Sequence, residues 1–145
     1  MTDSNVPEQQ FVCIVPYNRK SKKLFVIRRC AKHSIGMWEF PSGKVELKER
    51  FADAASREFR EETGVASDLH HLFDTHKVDI TDDTKRWNTV YYLTETSTFD
   101  KPPTNNEPDI HSECGWFTLE ELTGLDLVFP TKWMVDAISA GTVKL

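Results

Sequence analysis

The sequence predicts an α/β domain, and three observations carry that reading. Runs rich in β-branched and aromatic residues at 11–17 (FVCIVPY), 23–29 (KLFVIRR) and 87–95 (WNTVYYLTE) have the composition of strands. Between and after them lie two helical patterns, one at about 50–62 and one opening at Pro130 and Thr131 and running to about Ser139. The chain has 145 residues, enough for one domain with a real core and too few for two.

Taken in order, residues 1–10 are polar, contain Pro7, and are expected to be a flexible lead-in to a single domain at 11–145. The strands at 11–17 and 23–29 flank a polar turn and are expected to pair as a hairpin. Residues 36–43 (GMWEFPSG) lead into the first helix, with Trp38 and Phe40 as core residues and a tight turn at Pro41 and Gly43. After that helix, the mixed run at 69–80 holds His70, His71 and His76, read as surface or rim residues because adjacent histidines face opposite sides of a strand. ITDDTKR at 80–86 reads as the turn of a long hairpin into the strand at 87–95. Residues 96–112 form a long loop rich in proline and asparagine, of the kind that often carries function. A short strand is expected at 114–117, then Thr118-Leu119-Glu120-Glu121 as a capping box opening a short helix that stops by Gly124. The last helix is expected to pack Trp133 and Ala137 inward.

The first helix holds an anomaly. It closes at Gly64, a residue suited to the left-handed conformation at a helix end. Phe51, Ala54 and Ala55 fall on one side, and Glu58, Glu61 and Glu62 continue that side within an arc of roughly 100°. An apolar face therefore turns into a carboxylate face while still pointing inward. At roughly 5–6 Å and an effective dielectric near 20, each carboxylate pair costs about 3 kcal/mol. Arg57 can neutralise one neighbour, with Glu49 available to hold it, whereas Arg60 points the other way. A hard divalent cation with oxygen ligands is the natural remaining partner.

The same stretch fits G-x5-E-x7-R-E-U-x-E-E-x-G-U, with U a bulky apolar residue, through Gly43, Glu49, Arg57, Glu58, Phe59, Glu61, Glu62, Gly64 and Val65. A chance match at a given start is on the order of one in a billion at average residue usage. This resembles the Nudix box of the Nudix (MutT-like) hydrolases. The resemblance implies a Nudix-type α/β/α sandwich with a mixed β-sheet between helices. It also implies a Mg²⁺-dependent pyrophosphohydrolase, with Mn²⁺ as a substitute ion, acting on a nucleoside diphosphate linked to another group.

Carried onto this chain, the resemblance makes Glu58 and Glu62 direct metal ligands and Glu61 a direct or water-mediated one. The Gly43 carbonyl faces the metal, and Arg57 and Glu49 hold the glutamates at the right angle. Arg29, at the end of the second strand, matches an arginine at the substrate cleft. A further ligand or base is expected from the 107–113 region, with Glu113 and Glu107 as candidates. The chain departs from the family's Pro-Gly-Gly at Ser42. Trp133, Tyr17 and Trp87 are candidates to stack on a base. The substrate stays open between a nucleoside or deoxynucleoside triphosphate and a dinucleoside polyphosphate, ADP-ribose or nucleotide sugar. A catalytically silent metal or nucleotide-binding module is the reading from another class.

Composition sets the outer limits. The net charge of -5 argues against general nucleic-acid binding, which needs a basic face, while metal ions can still recruit a small polyphosphate to an acidic protein. Cys13, Cys30 and Cys114 form no CxxC pair and are expected to be reduced thiols, mostly buried. No apolar run reaches the roughly 20 residues of a membrane span, and a cytoplasm-like compartment is the expectation. A homodimer stays open as a partner.

Overall fold

The computed structural model describes residues 8–78, 80–81 and 86–145. The expected lead-in at 1–7 and the middle of the ITDDTKR turn lie outside the described residues. A seven-stranded mixed sheet is the frame, in the order β3-β2-β1-β6-β5, with β4 joining β1 and β7 joining β2. The central pair, β1 (Glu8–Asn18) and β6 (Arg86–Glu95), is parallel and in register from Glu8↔Arg86 to Tyr17↔Glu95. The other pairings, with β2 (Lys23–Arg29), β3 (Trp38–Glu39), β4 (Ser42–Lys44), β5 (His70–Asp74) and β7 (His111–Thr118), are antiparallel. The hairpin at 11–29 forms as expected, though β1 starts at Glu8 and β7 at His111, both three residues before the sequence pattern places them.

Alternation along β1 builds two cores. Val12 and Ile14 pack with Ala54, Ala55 and Phe59 of α1 (Phe51–Thr63) on one face. Cys13, Val15 and Tyr17 pack on the other with Leu122 of α2 (Leu119–Thr123) and Met134 and Val135 of α3 (Phe129–Ser139). A strand covered on both faces has to be apolar throughout, which is why FVCIV reads as a continuous run. The result is a helix–sheet–helix sandwich.

Two features bring the site together. One edge of β1 is shared: its C-terminal end pairs with β2, and Phe11, Val12 and Cys13 pair with Lys44, Gly43 and Ser42 of β4. Gly43 is thereby fixed beside the sheet just before α1 crosses it. The long loop, in turn, serves the C-terminal end of α1, where four carbonyls of any helix lack intrahelical partners. Asn106 Nδ2 donates to Glu61 O, Asn106 N to Glu62 O and Thr104 N to Thr63 O, at 3.0–3.1 Å. Gly64, at φ 78°, ends the helix as expected, and the Thr118–Glu121 capping box opens α2.

Candidate active site

A cavity of about 730 Å³ lies where α1, β1, β3, β4, β6 and the long loop meet. Gly43, Glu58 and Glu62 line one wall, with Glu39, Glu107 and His111 beside them. Phe11, Trp87 and Phe129 line another.

Helix α1 supplies the central acids. Glu62 is 5% exposed, and the Glu58 side chain is 14% exposed. Their carboxyl groups lie close enough to influence each other's ionisation. Burial first, then the charges of Glu39 and Glu58, push the Glu62 carboxyl well above the usual carboxylate range. Burial also raises Glu58, against the pull of Arg57. Glu58 rests against the α-carbon of Gly43, where a larger residue would collide with its carboxylate.

Glu61 departs from the expected inward ridge. Its side chain is 47% exposed and it does not line the cavity. The reason is the bulk of Phe59: that ring is fully buried against Phe99, with centroids 5.6 Å apart, and it centres the buried arc on Ala55, Phe59 and Glu62. At 100° per residue, Glu61 then falls on the flank of the helix.

Arg57 acts as the clamp that the sequence suggests, with more partners. Its guanidinium grips both oxygens of Glu49, at 2.8 and 2.9 Å. It also reaches Glu58 at 2.8 Å, Glu61 at 3.3 Å and the Lys44 carbonyl at 3.1 Å. The bond from Arg57 lowers the Glu49 carboxyl to about 2. One cation thus aligns three carboxylates, which a planar fork with five donors can do and an ammonium cannot.

The structure moves several expected site residues. Glu113 is exposed on β7, paired with Arg28 at 3.2 Å, and does not line the cavity. Regular alternation would set His111 and Glu113 on one face of β7, but a bulge between the pairs Arg28↔Glu113 and Arg29↔His111 breaks it, and His111 alone is buried. Trp133 packs against Phe73 and Tyr91, at 5.3 and 5.9 Å, and joins the core rather than the cavity wall. Tyr17 is likewise a core residue, whereas Trp87 does line the cavity. Arg29 lines it too, but its guanidinium is engaged: Nη1 donates to Glu39 Oε2 at 2.8 Å and Nε to His33 O at 2.8 Å. Glu107 reaches the cavity from the loop. Cys30 is exposed, so the thiols are not mostly buried: only Cys13 is fully so.

Sequence reasoning missed Glu39 and His111. Both are buried, at 7% and 2% exposure, and His111 Nε2 lies 3.1 Å from Glu39 Oε2. A signal existed for Glu39: an acid between Trp38 and Phe40, where strand alternation turns it away from their shared side. For His111, at the end of an irregular loop, no local pattern pointed inward.

The donor set suits a divalent cation. Oxygen ligands cluster on a rigid helix beside a glycine, with more negative charge buried than the described cations offset. Among the described residues no helix is long and apolar enough to cross a membrane.

Comparison with known proteins agrees with this geometry. The family model of the NUDIX domain matches residues 7–136. A MutT NUDIX hydrolase structure from Burkholderia pseudomallei is 26% identical, covering 89% of this chain and 96% of that one, with a TM-score of 0.73. The ORF135 protein of E. coli is 20% identical over 97% of this chain and 94% of its own, with a TM-score of 0.69. The NUDIX domain of Shewanella oneidensis NrtR, complexed with ADP-ribose, is 17% identical, with 97% and 94% covered and a TM-score of 0.74. Among curated proteins, none matches. The complete box, the sandwich that presents it and a family match over most of the chain lead to one assignment: this chain belongs to the Nudix family and is a Nudix hydrolase.

Proposed function

We propose that the chain is a Mg²⁺-dependent pyrophosphohydrolase of a nucleoside diphosphate linked to another group. The favoured substrate is a nucleoside or deoxynucleoside triphosphate, cleaved to the monophosphate and pyrophosphate. The supporting observation is one cavity with two chemistries: carboxylates on one wall and aromatic rings on another. Phe11 and Trp87 lie 4.6 Å apart, and Trp87 stacks with Phe129 at 6.2 Å and 29°. Flat rings of this kind accept a base, while the acidic wall takes the polyphosphate end through its cation.

Glu58, Glu62 and the Gly43 carbonyl would hold Mg²⁺, or Mn²⁺ in its place, with Glu61 contributing through water. When bound there, the ion would neutralise polyphosphate charge and acidify an attacking water. Arg57, held by Glu49, fixes the angle of Glu58. Lys32, on the cavity rim, is placed for outer phosphate oxygens, since Arg29 is engaged with Glu39. Glu107, the loop acid on the wall, takes the proton from water as its oxygen bonds to phosphorus and the anhydride P–O bond breaks, the departing phosphate oxygen keeping the electron pair. The ADP-ribose bound by the Shewanella domain supports a nucleotide in this cleft.

The test is a panel of nucleoside triphosphates, dinucleoside polyphosphates, ADP-ribose and nucleotide sugars with millimolar Mg²⁺, scoring pyrophosphate and phosphate separately. Pyrophosphate release from a triphosphate, absent in Glu58→Gln, is the expected result. No turnover on any member of the panel would overturn the reading.

A further inference from the structure

We propose that Glu39, Glu62 and His111 form a second divalent-cation site, one that takes a transition-metal ion such as Mn²⁺ or Zn²⁺ in preference to Mg²⁺. One ligand atom from each of the three buried side chains lies within 4.8 Å of the others. That separation lets a single ion touch two carboxylate oxygens and one imidazole nitrogen.

The surroundings fit an ion. Arg29 holds Glu39 through one oxygen, Oε2, which fixes its carboxylate as a supporting hydrogen bond fixes a metal ligand. Thr89, fully buried on the wall of the same cavity, has a hydroxyl without a hydrogen-bond partner. It is therefore a spare donor or acceptor for a water or phosphate oxygen on the ion. His111 Nδ1 has no partner, so nothing else holds that nitrogen and the ring can carry its proton there, leaving Nε2, now 3.1 Å from Glu39 Oε2, free for a metal.

The imidazole sets the selectivity. Magnesium prefers oxygen donors and sheds water reluctantly, whereas Zn²⁺ and, more weakly, Mn²⁺ accept nitrogen. Glu62 would be shared with the ion on Glu58, so the two cations would sit on either side of one carboxylate. The proposal touches the magnesium reading only through Glu62, and either can fail alone.

The experiment counts Mn²⁺ bound to the metal-stripped full chain by electron paramagnetic resonance. Two ions per chain are expected in the unaltered protein and one in His111→Gln or Glu39→Gln, with affinity for the second ion lowered roughly tenfold or more. Glu58→Gln should keep the His111-dependent ion. Because those variants can also disturb folding, Zn²⁺ is added to the unaltered protein while the ¹⁵N resonances of the His111 ring are followed. A shift of Nε2 on saturation supports the site. Unmoved ring nitrogens, or equal Mn²⁺ binding by His111→Gln and the unaltered chain, overturn it. Loss of all binding in Glu58→Gln alone would also overturn it, while leaving the reading of a Nudix-box ion standing.

Discussion

Glu58 sets its carboxylate against the α-carbon of Gly43, in the volume that any side chain at that position would need. β4 is pinned to β1 at Val12↔Gly43, and α1 is pinned by Ala54, Ala55 and Phe59, so neither backbone yields and the Glu58 side chain must. Gly43→Ala is therefore expected to swing Glu58 out of place. A misplacement of about 1 Å at a catalytic centre can cost on the order of 100-fold. Turnover should fall by roughly 10- to 100-fold, and the Mg²⁺ concentration for half-maximal rate should rise. The melting temperature should move little, since Glu58 can relax toward solvent. A variant with unaltered Mg²⁺ dependence would show that Glu58 does not need this seat.

Arg57 joins three carboxylates through one planar group. Lysine keeps the charge and loses the fork. Arg57→Lys should lower kcat more than it raises KM, because substrate contacts survive while the angle of Glu58 is lost. Stability should fall by roughly 1.5–3 kcal/mol, the range for hydrogen bonds to charged groups. Steady-state kinetics and thermal melts decide it, and a pure KM effect would contradict the positioning role.

The Glu49 carboxyl carries the pH signature of the same clamp. Its hydrogen bond from Arg57 lowers it from 4.5 to about 2. A carboxyl depressed on folding adds stability above its unfolded value and loses it as pH falls toward its folded one. The gap in melting temperature between the native chain and Glu49→Gln should thus be full at pH 7, shrink below pH 4.5, and close near pH 2. A gap that stays constant with pH would mean the pair is not electrostatic in origin.

How legible these features were depended on the range of the interactions behind them. The box announced Glu58, Glu62, Arg57 and the Gly64 stop, because helix periodicity and a fixed spacing are local properties. FVCIV declared a strand for the same reason, while its cover on both faces came from the structure. Glu61 was misread because the helix roll depends on how the ring of Phe59 packs against Phe99, a residue forty positions away. Glu113 and Glu107 could not be separated by sequence, since the choice rests on where a long loop tied to the end of α1 hands over to β7. Arg29 showed its charge in the sequence but not its partner Glu39, which comes from the pairing of β2 with β3.

Under the proposed function, Trp87 carries the substrate side of the site. Its ring contacts Phe11 and Phe129, which line the cavity with it. Trp87→Ala should raise KM for a nucleotide by roughly 10- to 100-fold, following about 1–3 kcal/mol per stacked base. Turnover at saturation should change far less, and hydrolysis of a short polyphosphate without a base should be unaffected. An equal loss on both substrates would place the base elsewhere.

Glu62 trades stability for its role. Its carboxyl is pushed up by burial first and then by the charges of Glu39 and Glu58. The sign follows from linkage: a carboxyl raised on folding contributes fully below its unfolded value, and the protein loses that contribution as pH rises. At neutral pH an ionised Glu62 is thus a burden, which a neutral amide of the same shape removes. Gln also keeps an oxygen for the Ser42 N–H, now 3.4 Å from Glu62 Oε1. Glu62→Gln should melt higher than the native chain at pH 7 without metal, by on the order of 1 kcal/mol or roughly 3 °C. Millimolar Mg²⁺ should reverse the order, because an ion that binds only the folded state stabilises in proportion to its affinity, and the variant binds it poorly. Activity should be lost under both conditions. A variant that melts lower without metal would show that the native carboxylate is already compensated by the protein alone, leaving the cation no charge to balance.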